Sequence, residues 1–178
     1  YDEVGVIAVD SAPHTVVELA SASDTKGICD RVRGIQSQGG GIFVYTALVQ
    51  AANMVQASDK GTRHIVLFAD AADAEEPGDY VRLLDRLREL GITVSVIGMG
   101  SELDQDAAFL KDVAMRGEGR IQFSAAVEDL PRMFAQEAIT VARSSVSTRR
   151  SRISTFPFTI VFRTSSPRVT YTRCEIGS

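Results

Sequence analysis

Residues 64–80, HIVLFADAADAEEPGDY, decide the fold of this chain. An apolar run from Ile65 to Phe68 is followed closely by a carboxylate, Asp70, and then by an acidic loop. A continuous apolar run of this kind is typical of a buried parallel strand, and open α/β sheets place their binding sites at the carboxyl ends of such strands. We therefore expect Asp70 to lie on the ligand-facing rim of a parallel sheet.

Strands and helices alternate on both sides of this stretch. Residues 4–10 and 15–19 have the pattern of an antiparallel hairpin, because a Ser-Ala-Pro turn separates two strand-like runs. Periodicity and capping residues predict further strands at 64–69, 92–98 and 120–123, and helices at 24–35, 47–55, 79–90, 104–115 and 128–142. Ser23 or Asp24 is the predicted N-cap of the first of these helices, and Asp79 that of the helix over 79–90. This alternation predicts a parallel sheet that is covered by helices on both faces.

Composition describes an ordinary globular domain. The chain has 178 residues, of which 44% are hydrophobic and 24% charged. Residues 143–178 carry seven Arg and one Glu, a net charge of +6, whereas the first 142 residues carry −10. This basic tail lacks an aromatic-interleaved recognition motif, so we predict no nucleic-acid partner. Cys29 and Cys174 have no metal or redox spacing; we expect Cys29 to be a packed thiol, with a disulfide left open.

A glycine-rich loop precedes the second predicted helix. Gly39, Gly40 and Gly41 lie just before the helical stretch IFVYTALVQAANMV, and the strand that leads to Asp70 follows. The order and spacing of these features resemble the bacterial branch of the von Willebrand factor type A (VWA) domain over roughly residues 2–142. The resemblance implies a doubly wound, mostly parallel, Rossmann-like sheet with an antiparallel hairpin at one edge. It divides the chain into a VWA-type domain, residues 1–142, and a Ser/Thr/Arg-rich tail, residues 143–178.

One central strand of the family is missing from this sequence. VWA domains normally begin with a strand that ends in Asp-x-Ser-x-Ser, whereas this chain starts at the hairpin that follows. An empty central position would leave backbone groups unpaired, at about 1–3 kcal/mol for each buried group. Residues 156–163 are apolar enough to supply a surrogate central strand. Two other interpretations stay open: a strand exchanged with a second chain in a dimer, and a disordered tail.

The resemblance also implies a degenerate metal-ion-dependent adhesion site. Asp70 matches a family metal ligand, while Ile42 stands where the family has a coordinating Thr. We expect Mg²⁺, Ca²⁺ or Mn²⁺ to bind weakly or not at all, since these ions need several oxygen donors. The predicted ligand-binding rim consists of six further residues: Gly39, Gly40, Gly41, Thr46, Asp73 and Glu75.

The function implied by the resemblance is that of a protein-interaction module and not of an enzyme. Its partner would be a protein that presents an acidic side chain to the metal, and its parent a larger bacterial protein, with membrane anchoring left open. Two alternatives stay open. One is a nucleotide-binding or enzymatic Rossmann-type domain that uses Gly98 and Gly100. The other is a scaffold domain without a ligand of its own. The cellular compartment is not predicted.

Overall fold

The computed structural model of the chain describes residues 2–36, 43–72, 74, 78–148 and 157–163, with residues from 142 onward described as backbone only. Within these ranges the strands are β1 (Glu3–Val9), β2 (Pro13–Ser21), β3 (Arg63–Asp70), β4 (Ile92–Met99), β5 (Glu118–Ser124) and β6 (Pro157–Arg163). The helices are α1 (Thr25–Arg33), α2 (Val44–Gln56), α3 (Tyr80–Glu89), α4 (Ala107–Arg116) and α5 (Leu130–Thr148). A short 3-10 turn, Val127–Asp129, leads into α5.

The six strands form one sheet in the order β2-β1-β6-β3-β4-β5. Only β1 and β2 pair antiparallel; every other neighbouring pair is parallel. Helices α2, α3 and α4 contribute to the apolar core on one face, and α1 and α5 contribute to the core on the other. The predicted fold class, a doubly wound and mostly parallel sheet with a hairpin at one edge, is confirmed.

Short-range signals set the starts of two helices. The Asp24 side chain accepts a hydrogen bond from the Gly27 backbone N–H at the start of α1. The Asp79 side chain accepts one from the Arg82 backbone N–H at the start of α3. Each bond satisfies one of the backbone donors that a helix leaves unpaired in its first turn. The predicted cap at Asp79 is confirmed, and of the two candidates for α1 the cap is Asp24 and not Ser23.

Three local predictions were wrong. The helix predicted from residue 104 begins at Ala107, because the Asp104 carboxylate accepts hydrogen bonds from the backbone and side chain of Ser101 and so belongs to the preceding loop. The helix predicted over 128–142 continues to Thr148, into the residues assigned to the tail. Cys29 is buried on α1 and is disulfide-bonded, so it is not the packed thiol that was expected.

Strand β6 lies between β1 and β3 and runs parallel to both. It pairs with all seven residues of β1, from Glu3 opposite Pro157 to Val9 opposite Arg163. With β3 its pairs run from His64 opposite Phe158 to Leu67 opposite Val161. The last described strand in the chain therefore holds a central position in the sheet. Among the described residues we find no helix that combines the length and apolarity required to cross a membrane.

Candidate functional site

The carboxyl ends of the five parallel strands meet at one edge of the sheet, which we call the rim. Asp70 is the last residue of β3, and its Oδ1 accepts a hydrogen bond of 2.9 Å from the Ala72 backbone N–H. The loop after β3 is joined to the loop after β4, since Ala71 N–H donates to the Met99 carbonyl and Asp106 N–H donates to the Ala71 carbonyl. The structure thus places Asp70 on the rim within a hydrogen-bonded pair of loops.

Three further carboxylates on the rim were missed by sequence reasoning: Asp10, Asp104 and Asp106. Asp10 follows β1, and its Oδ1 lies 3.2 Å from His14 Nε2 and accepts a bond of 3.1 Å from the Ala12 N–H. Burial raises the pKa of Asp10, but these two hydrogen bonds and the charge of His14 bring it below its usual value. The sequence did contain a signal for Asp10, because this residue follows an apolar run just as Asp70 does.

Asp104 and Asp106 stabilise the loops around Asp70. Asp104 Oδ2 accepts a hydrogen bond of 2.7 Å from the Ser101 N–H, and Asp106 Oδ2 accepts one of 2.9 Å from the Ala74 N–H. The second bond spans two different rim loops. These carboxylates therefore act as acceptors for loop backbone, which fixes the shape of the rim at the same time as it makes the rim acidic.

The glycines that suggested a nucleotide site have packing explanations. A Cβ on Gly98 would lie 2.5 Å from the ring of Phe123. Gly100 has φ +115°, which disfavours other residues, and a Cβ there would lie 2.3 Å from Asp104 Oδ2. A carboxylate this close to the turn would also repel a phosphate. The geometry gives no support to the nucleotide-binding alternative.

The other predicted rim residues are only partly described. Thr46 lies in the first turn of α2, where its hydroxyl donates a hydrogen bond of 2.9 Å to the Phe43 carbonyl. The hydroxyl proton of Thr46 is therefore bonded to the N-cap residue of its own helix. Gly39, Gly40, Gly41, Asp73 and Glu75 lie outside the described residues, so their predicted place on the rim stays a prediction.

The donors on the described part of the rim do not fit a divalent cation. Asp70 Oδ1 is bonded to Ala72, and the Thr46 hydroxyl is bonded to Phe43. Over the described ranges we find no group of three or more His, Cys, Asp or Glu side chains that could hold a metal ion. Mg²⁺ and Ca²⁺ require at least six ligands, several of them from protein oxygens or water. No step of the proposed function is therefore assigned to a metal.

A buried polar cluster lies toward the amino ends of β3 and β4, away from the rim. Glu137 of α5 is 2% exposed; its Oε1 accepts a bond of 2.6 Å from Ser95 Oγ, and its Oε2 accepts one of 2.9 Å from Arg120 Nε. His64 is also 2% exposed, with Nδ1 2.6 Å from Thr93 Oγ1. Sequence reasoning did not single out Glu137.

Burial has the largest effect on the pKa of His64 in this cluster. Burial lowers the pKa of His64 to about 4; the charge of Glu137 opposes this shift and that of Arg120 adds to it. His64 is therefore neutral near pH 7 in the folded protein.

These features define an α/β domain with an acidic rim at the carboxyl edge of its sheet and without a recognisable metal cluster in its described part. The family model for the von Willebrand factor type A domain matches residues 1–136, and the chain belongs to this family. VWA domains are generally interaction modules without enzymatic activity, and they often bind a divalent metal. A comparison with curated protein sequences finds no match.

Three solved bacterial proteins have a similar fold. The protein BatB from Bacteroides thetaiotaomicron superposes with a TM-score of 0.62 at 20% identity, covering 80% of each chain. An aerotolerance-related membrane protein from Bacteroides fragilis has a TM-score of 0.61 at 19% identity, covering 78% of this chain and 80% of its own. A VWA protein from Catenulispora acidiphila has a TM-score of 0.64 at 19% identity, covering 79% of this chain and 33% of its own. At these identities the likeness shows the fold alone.

Proposed function

We propose that this chain is a protein-binding module whose partner binds at the rim, with little or no contribution from a divalent metal. The observation that carries the proposal is that Asp10, Asp70, Asp104 and Asp106 lie at a strand end or in loops at one edge of the sheet, where the loops after β3 and β4 hydrogen-bond to each other. Loops held by a rigid scaffold are the usual place for binding residues. A partner would meet loops that, over their described residues, are already held together by hydrogen bonds.

The carboxylates of the rim influence which charge a partner's contact surface should carry. The resemblance implies an acidic partner, which needs a bridging cation to offset repulsion between carboxylates. The donors around Asp70 do not fit such a cation. Opposite charges attract and like charges repel, so direct contact with this rim favours lysine or arginine side chains. We therefore propose a basic contact surface on the partner.

A larger parent protein is part of the proposal. The Bacteroides fragilis neighbour is an aerotolerance-related membrane protein, and VWA domains generally mediate protein interactions. We propose that the present chain serves as the interaction domain of a bacterial protein of this general kind, which is membrane-anchored. The scaffold alternative, a domain without a ligand, predicts that the rim binds nothing.

A displayed library of random peptides can test this proposal without knowledge of the natural partner. The full chain is immobilised and panned with Mg²⁺ and, separately, with a chelator. We expect enrichment of basic peptides in both conditions, with binding that weakens as salt concentration rises. The variant Asp70→Asn combined with Asp104→Asn should reduce binding.

The matched control is Asp59→Asn. Asp59 is 92% exposed and precedes β3, so it lies at the opposite edge of the sheet from the rim. Loss of binding in the control as well as in the rim variant would contradict a rim site. Enrichment of acidic peptides that require Mg²⁺ would contradict the basic partner and would favour the metal-bridged one. Absence of any enriched peptide would favour the scaffold alternative.

A further inference from the structure

Leu103 is an apolar residue in the rim loop between β4 and α4, and it is 95% exposed. Over the described ranges the next most exposed large hydrophobic residue is Met115, at 67%, in the last turn of α4. Single apolar residues on a surface are common, so exposure alone assigns no role to Leu103. Its backbone, its position on the rim and the charges beside it point to a contact.

The turn that carries Leu103, residues 101–104, is closed by hydrogen bonds. The Ser101 hydroxyl accepts a bond of 3.1 Å from the Leu103 backbone N–H and donates one of 3.2 Å to Asp104 Oδ1. The Ser101 backbone N–H donates a bond of 2.7 Å to Asp104 Oδ2. The backbone of Leu103 is therefore held in place before a partner arrives, which lowers the entropy cost of ordering this loop on binding.

This turn lies against the loop that follows Asp70. Gly100 directly precedes the turn, and a Cβ added to it would lie 2.3 Å from Asp104 Oδ2 and 3.4 Å from the Cβ of Ala71. Ala71 is the residue after Asp70 in the chain. One contact surface can therefore include Leu103 together with the carboxylates of Asp70 and Asp104.

The charges beside Leu103 indicate the chemistry of the surface that would cover it. Its neighbours in the chain are both acidic, Glu102 and Asp104. Glu102 Oε2 lies 2.8 Å from Lys111 Nζ, whereas Asp104 accepts its hydrogen bonds from the uncharged Ser101. An apolar side chain beside carboxylates fits an apolar pocket bordered by lysine or arginine, because their long stems line apolar surface while their charged ends stay outside it.

We propose that Leu103 is the apolar anchor of the rim. It inserts into an apolar pocket on the partner protein, and lysine and arginine side chains at the border of this pocket meet the rim carboxylates. This inference rests on the proposed rim function and adds the apolar part of the contact. Removal of a leucine side chain from water is favourable enough that its loss should weaken binding by about tenfold or more.

Two displayed peptide libraries, panned on the full chain, test the anchor. Both libraries contain the same share of lysine and arginine, but one also contains leucine, phenylalanine and tryptophan, whereas the other contains serine and threonine in their place. We expect strong enrichment only from the library with apolar residues. The most enriched peptide, with a fluorescent label, is then the probe for affinity measurements.

Variants of Leu103 identify the side chain that the probe contacts. We expect Leu103→Ala to weaken binding of the probe by about tenfold or more, and Leu103→Met to restore part of the lost affinity, because methionine has a similar apolar volume. Met115→Ala is the matched control, since it removes an exposed apolar side chain far along α4. Thermal melts should be alike for all these variants, because Leu103 is almost fully exposed.

The outcomes separate the anchor from the rim function. If Leu103→Ala binds the probe as tightly as the wild type while Asp70→Asn combined with Asp104→Asn binds it weakly, the anchor is overturned and the rim function stands. Equal losses in Leu103→Ala and Met115→Ala would also overturn the anchor, as would enrichment that is equally strong from the library without apolar residues. A chain that enriches no basic peptide from either library would overturn the rim function and the anchor together.

Discussion

Ser95 Oγ of β4 donates a hydrogen bond of 2.6 Å to Glu137 Oε1 of α5, and this contact joins the last helix to the centre of the sheet. On its other oxygen Glu137 accepts bonds from Arg120 Nε and Nη2 of β5, at 2.9 and 2.5 Å. A buried carboxylate with three donors is a specific attachment point. This bond therefore attaches to the sheet the helix that comes directly before β6 in the element order.

Removal of the Glu137 carboxylate should destabilise the domain. In Glu137→Ala the buried Ser95 hydroxyl loses its acceptor, and the Arg120 guanidinium, which is 44% exposed, loses its ion-pair partner. We expect a loss of about 1–3 kcal/mol in the free energy of unfolding, because unpaired buried donors cost this much. Urea denaturation gives the value. Glu128→Ala, at an exposed position, should change stability by less than about 0.5 kcal/mol. Equal losses in the two variants would contradict the attachment role.

Stability should fall in acid because His64 is buried as a neutral ring. The pKa of His64 is about 4 in the folded protein and about 6.5, the ordinary value of a histidine, in the unfolded chain. The stability that the protein gains by keeping His64 neutral is fully present above pH 6.5. It decreases as the pH falls towards 4, since the unfolded chain takes up a proton that the folded chain excludes. The loss by pH 4 should be on the order of 2–3 kcal/mol. Urea midpoints measured between pH 7 and pH 4.5 follow this change.

The variant His64→Gln should flatten this acid dependence, because glutamine does not titrate. Glu137 and Arg120 face His64 and are retained in the variant, so the remaining slope reports the other groups. His14→Gln is the control, since the His14 side chain is half exposed. Identical acid slopes in the wild type and in His64→Gln would show that His64 is not the titrating group.

A methyl group at Gly98 should be poorly tolerated. A Cβ there would lie 2.5 Å from two ring carbons of Phe123, so the ring or the backbone of β4 has to move. We expect Gly98→Ala to lower the unfolding free energy by about 1–3 kcal/mol, as overpacking typically does. Gly61→Ala is a matched control, because nothing lies within 4 Å of its added Cβ. An equal shift of the melting temperature in the two variants would point to a change in backbone entropy and not to steric contact with Phe123.

Divalent cations should leave the thermal midpoint of the domain unchanged. A ligand at one hundred times its dissociation constant stabilises the native state by about 2.7 kcal/mol, so even modest binding is visible in a melt. We expect no shift with millimolar Mg²⁺, Mn²⁺ or Ca²⁺, because the described residues include no group of three or more His, Cys, Asp or Glu side chains that could hold a metal ion. A stabilising shift that disappears in Asp70→Asn would contradict this prediction and would restore the metal-bridged mode of partner binding.

Much of the secondary structure followed from neighbouring residues in the sequence. The run Ile65–Phe68 and the caps Asp24 and Asp79 act within one strand or one helical turn, so local pattern is enough to predict β3, α1 and α3. The position of Asp70 on the rim followed as well, because parallel strands share a carboxyl edge. Asp104 was assigned to the wrong element, since its acceptor role in the loop competes with helix formation.

The sequence by itself determined the alternation of strands and helices, the place of Asp70 at a strand end, and the apolar character of residues 156–163. Only the tertiary structure decided that Glu137 is a buried acceptor, because its donors Ser95 and Arg120 lie on two other elements. The register of β6 against β1 and β3 likewise depends on pairing across most of the chain. Such contacts depend on which distant segments come together in space, and local periodicity carries no information about that.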